Sequence, residues 1–80
     1  MIDKQDMKLR RHLKTFISAR MQELQFSEAD LARITGDSPT QINRIVRGIN
    51  TPTLTFAARL AAALEVSLDE LAGAEELAKT

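Results

Sequence analysis

The chain has no cysteine, tryptophan or tyrosine, and only one histidine among its 80 residues. Without cysteine there is no disulfide framework, no thiolate nucleophile and no cysteine-based zinc site. His12 has no second imidazole or thiol with which to share a metal, and it reads as a surface or boundary residue of the first helix. A phosphate-binding glycine loop is missing as well. Paired acids such as Asp69 and Glu70 suit the start of a helix better than acid–base catalysis. The expectation is therefore not an enzyme, with no metal and no cofactor. No apolar run reaches signal-peptide or membrane-spanning length, which predicts a soluble, cytoplasmic protein with no membrane partner.

Net charge is also missing, with 11 basic residues against 11 acidic ones, but the balance is not local. From Met1 to Leu60 ten basic residues oppose six acidic ones, leaving +4, and from Ala61 to Thr80 one opposes five, leaving −4. This is either a basic body with an acidic tail or two solvated faces with a chance asymmetry.

What the chain does have is helical spacing. Hydrophobic residues make up 44% of it, enough for one small core, and no period-two alternation persists. The first helix is predicted over about 6–24, with Leu9, Leu13, Phe16, Ile17, Met21 and Leu24 three or four apart and Asp3 or Asp6 as cap. The second spans 28–35, opened by Ser27 with Asp30 in a capping box, faced inward by Leu31, Ala32 and Ile34, and stopped by Gly36. The third spans 39–47. The fourth spans 54–64, with Leu54, Ala57, Ala58, Leu60, Ala61 and Leu64 available for burial. Ser67 and Glu70 open a fifth at 68–72, which either stops at Gly73 or runs on to 79. These elements predict an all-α fold, a compact five-helix bundle. Its expected organisation is an arm or helix extension at 1–8, a domain at 9–72 and an acidic tail at 73–80.

The third segment, SPTQINRIVRG, is bounded by Ser38 as N-cap, Pro39 in the first turn and Gly48 just past the end. At about 100° per residue, Ile42, Ile45 and Val46 share one side. Thr40, Asn43, Arg44 and Arg47 share the other, which contains no acid. Arginine, asparagine and threonine read base edges and grip phosphates, although alone they also make an ordinary solvated face. The segment follows another short helix after a glycine-containing turn, as in a helix-turn-helix. Ala32, Gly36, Ile42 and Ile45 stand at mutually consistent spacing in LARITGDSPTQINRIVRG. With RGINTPTLTFAARLAAALEVSLDEL following without a gap, the chain from about Leu13 to Leu71 resembles the Cro/phage-repressor-like helix-turn-helix family, also called XRE.

That resemblance implies a five-helix lambda-repressor-like domain that binds double-stranded DNA as a homodimer, with helix 39–47 in the major groove. By position, Pro39, Thr40, Asn43 and Arg44 would face bases. Ser27 and Glu28 at the start of the second helix, Arg47, Asn50 and Thr51 would meet phosphates. The expected role is transcriptional regulation, most often repression. The alternative is a protein-interaction module or antitoxin component of the same fold, with a toxin or regulator as its protein partner.

Several positions depart from the family pattern. Glu28 stands where glutamine is frequent, and its carboxylate would repel phosphate unless it turns away. Asp37 replaces a commonly apolar residue, and Gln25 a common glycine. A frequent Arg–Glu pair is replaced by Met21 and Val46, which are expected to touch, since removing both charges together strands neither. Leu71, Ala72, Ala74 and Leu77 form a small apolar set, either a dimer contact or a cap over the bundle.

Overall fold

The computed structural model describes residues 4–74. These form α1 (Lys4–Leu24), α2 (Glu28–Thr35), α3 (Pro39–Val46), α4 (Leu54–Ala63) and α5 (Leu68–Ala72), with no strand among the described residues. Leu13, Ile17 and Met21, four residues apart, place one stripe of α1 in the core. That stripe packs on α3 and α5, while α2 packs on α3 and α4, and α4 on α5. Leu31, Ile42, Ile45, Phe56, Leu60, Leu64 and Leu71 complete a single core, with Leu9, Phe16, Leu24 and Val46 at its margin. None of the helices is long and apolar enough to cross a membrane among the described residues.

Short helices need their free N–H groups satisfied, and four N-caps do this. Ser27 and Ser67 form full capping boxes with Asp30 and Glu70. Ser38 accepts from the Gln41 N–H at 3.2 Å, and Thr53 from the Phe56 N–H at 3.2 Å. Gly36 and Gly73 close α2 and α5 in left-handed conformation. The fifth helix therefore stops at the glycine; Glu75, Glu76 and Leu77 lie outside the described residues. So does Asp3, while Asp6 sits inside the first turn of α1.

Three inward assignments are corrected. Ile34 is 48% exposed, because the buried stripe of α2 runs through Leu31, Ala32 and Thr35. Thr35 tolerates this because its hydroxyl donates to the Leu31 carbonyl at 2.9 Å. Leu54 is 72% exposed, being the first residue after the Thr53 cap, and Ala58 is exposed too. Phe56 occupies the core position at that end of α4. Leu71 is fully buried, so it caps the bundle and is not a surface contact; Ala72 is half-buried and Ala74 exposed. His12 holds α5 in place: its Nε2 lies 3.1 Å from the Glu70 carbonyl oxygen, and its ring stacks on Phe16 at 5.5 Å.

α1 and α4 end alike, without glycine. Gln25 and Glu65 both adopt φ 59°. The next residue donates back five positions in each case, Phe26 to Met21 at 2.9 Å and Val66 to Ala61 at 3.0 Å. This is the six-to-one bond of a Schellman ending, whose left-handed residue is usually glycine. A side chain there costs about 1 kcal/mol, partly offset by the unfolded-state entropy of glycine. Gln25→Gly is accordingly expected to raise unfolding free energy by about 0.5 kcal/mol in urea denaturation, with Glu65→Gly behaving alike.

Candidate nucleic-acid interface

α3 is presented by its neighbours. Ile42 and Ile45 are buried between α1 and α2, which turns the opposite face outward. On that face Pro39, Thr40, Arg44 and Arg47 are exposed. Arg47 is the residue that ends the helix, its N–H donating to the Asn43 carbonyl at 3.0 Å while the Gly48 N–H donates to the Ile45 carbonyl at 3.0 Å. Gly36 links α2 to α3 with φ 79° and donates to the Ala32 carbonyl at 2.9 Å. Two eight-residue helices joined by this turn, the second anchored by isoleucines, form a helix-turn-helix. Beside it stand the N-terminus of α2, with Ser27 exposed, and the loop holding Asn50 and Thr51, both half-buried.

A family model described as helix-turn-helix matches residues 17–71. The chain belongs to the Cro/C1-type, or XRE, helix-turn-helix family. Its members are DNA-binding transcription regulators. Neither the curated proteins nor the solved structures provide a match.

Within this helix-turn-helix domain the departures from the family pattern have structural explanations. Glu28 is engaged by α3: its Oε1 accepts from Asn43 Nδ2 at 3.0 Å. The bond ties α2 to α3, and it half-buries Asn43, whose carboxamide is thus partly committed within the protein. Sequence spacing put Asn43 at the edge of the polar face and gave no sign of this partner fifteen residues away. Asp37 accepts from two nitrogens of Arg59, Nη2 at 2.8 Å and Nε at 3.2 Å. Arg59 also lies over the Phe56 ring at 5.7 Å, so the turn is fastened to α4. Arg10 Nε donates to Thr51 Oγ1 at 2.8 Å, fixing the loop to α1. Met21 and Val46 line one cleft together with Phe26 and Glu28, with no ion pair between these two positions among the described residues.

Asp30 shows how the start of α2 is stabilised. The Ser27 backbone N–H donates to its carboxylate at 2.9 Å, and Arg33 reaches it at 3.1 Å. The Ser27 backbone bond first, then the Ser27 hydroxyl and the Arg33 charge, hold the Asp30 carboxyl below its ordinary value. A carboxyl lowered by folding adds stability above its unfolded value, near 3.8, and that stability is lost as pH falls through the folded value. An NMR titration should place the Asp30 midpoint below 3.8. Ser27→Ala should move it upward by removing the hydroxyl.

Proposed function

We propose that the protein is a sequence-specific binder of double-stranded DNA that inserts α3 into the major groove and acts as a homodimeric transcriptional repressor in the cytoplasm. The observation that carries this reading is the outward face of α3, where Thr40, Arg44 and Arg47 stand exposed with no acid in the helix. Arg44 has the reach and the paired donors to read a guanine edge, and Pro39 and Thr40 enter the groove first because they open the helix. Arg47 at its end, the N–H groups following Ser27, and the Asn50–Thr51 loop grip the backbone on either side. Asn43 contributes by holding Glu28 as well as by facing the groove edge. Two subunits related by a twofold axis would read half-sites about one helical turn apart, on the order of 34 Å. Repression follows when such a dimer covers a promoter.

Selection from random duplexes tests the reading directly. A palindromic motif should be enriched, and gel shift against competitor DNA should confirm it. If no sequence is enriched over competitor at low salt, the DNA reading fails and a protein-binding role for the fold takes its place. Against the enriched duplex, Arg44→Ala should cost about 1–3 kcal/mol and relax preference at one base pair. Arg47→Ala should weaken binding evenly across sequences and lower the salt slope by about 1. Even weakening by Arg44→Ala as well would remove its assignment to a base.

A further inference from the structure

Two sets stand out among the cations of the basic body. Arg20, Arg33 and Arg59 each lie against a carboxylate, at 3.2, 3.1 and 2.8 Å. Arg11, Lys14, Arg44 and Arg47 make no ion pair among the described residues. Arg44 and Arg47 belong to the recognition face described above. Arg11 and Lys14 stand on α1, outside the helix-turn-helix, and the DNA reading has given them no task.

They are not scattered. Arg10, Arg11, Lys14 and Arg47 line one open cleft of about 280 Å³ with Met7 and Gly48, and no acidic residue lines it. The cleft exists because the turn after α3 lies directly on α1. Gly48 makes the turn in left-handed conformation at φ 75°, and it lies in contact range of α1: a Cβ on it would meet the Arg10 carbonyl oxygen at 3.4 Å and Lys14 Cβ at 3.5 Å, ordinary packing distances. The bond from Arg10 to Thr51 secures the same junction. Four cations on one surface repel each other, and that repulsion is relieved by a partner that is itself a line of negative charge. Duplex DNA carries one charge per about 1.7 Å of axis. Arg47 belongs both to this cleft and to the end of α3, which makes the surface continuous with the recognition face rather than a separate acidic-protein dock.

We propose that Arg11 and Lys14 of α1, with Arg10 and Arg47, form a second phosphate-binding surface that grips the duplex backbone beyond the base pairs read by α3 and lengthens the footprint of each subunit. This rests on the DNA reading above. Through it, the part of α1 preceding the matched helix-turn-helix region adds affinity without adding base preference.

The test uses the full chain and its enriched duplex, in a core length and in a version extended by about half a helical turn at each end. Affinity is measured by anisotropy across a salt series for the wild type, Lys14→Gln, Arg11→Gln/Lys14→Gln and Lys14→Arg. Both side chains are exposed, so circular dichroism and melting should match the wild type. The double variant should lower the magnitude of the salt slope by about 1–2, given roughly 0.9 per phosphate neutralised. It should also lose the preference for the longer duplex while selecting the same motif. Lys14→Gln should lose about half of that slope, and Lys14→Arg should retain it. A double variant with the wild-type slope on both duplexes would falsify the proposal. So would one that alters only the dimer population, which would make the cleft a protein contact. In either case, continued binding to the enriched motif leaves the DNA reading standing. Failure of the wild type to enrich any duplex instead removes that reading, and this one with it.

Discussion

Burial of Ile42 and Ile45, at 0% and 2% exposure, is the contact on which the site depends. α3 has eight residues, too few to persist as a helix in water, where nucleation is costly and short helices are marginal. Truncating a buried isoleucine in such a core costs about 2–5 kcal/mol, a large share of what a domain this small possesses. α1 and α2 both pack on α3, and the Ser38 cap satisfies a free N–H at its start. Holding the helix by one side is what leaves Thr40, Arg44 and Arg47 directed outward on a rigid support.

The second constraint is electrostatic. Loose carboxylates weaken a surface meant for a polyanion, and three acids of the helix-turn-helix are engaged within the protein. Glu28 is bound by Asn43, Asp30 by Ser27 and Arg33, and Asp37 by Arg59. Each of these bonds also has a structural role, joining α2 to α3, capping α2, or tying the turn to α4. Exposed pairs of this kind contribute little stability individually. Their larger effect is to engage acids within the protein and leave Arg11, Lys14, Arg44 and Arg47 without carboxylate partners.

The backbone shows where the chain departs from a tidier solution. Glycine closes α2 and α5, whereas Gln25 and Glu65 take the same left-handed role at the ends of α1 and α4. Gly48 takes that role after α3, at φ 75°, with the Ile49 N–H donating five positions back to the Arg44 carbonyl at 2.9 Å, and the turn it makes brings Arg47 beside the α1 cations. A modest strain at two helix ends is compatible with a fold whose bonds are otherwise satisfied, no buried side-chain polar atom lacking a partner among the described residues.

Much of this was legible in the sequence because it is local. The limits of α2, α3 and α5 follow from serines, Pro39 and glycines at fixed offsets, and the helix-turn-helix from the spacing of Ala32, Gly36, Ile42 and Ile45. The outward position of Thr40, Arg44 and Arg47 follows from helical periodicity alone. The tertiary structure decided what periodicity cannot resolve at the ends and edges of short helices. There Leu54 and Ile34 face solvent, while Phe56 and Thr35 go inside. It also decided the pairings between distant residues: Glu28 with Asn43, Asp37 with Arg59, Arg10 with Thr51, Arg20 with the Leu64 carbonyl, and His12 with the Glu70 carbonyl. SPTQINRIVRG therefore specified its own helix and its polar face. Which of those side chains remained unpartnered depended on what the packing of α1, α2 and α4 brought beside them, since such bonds form between atoms that only the folded bundle brings within 3.5 Å.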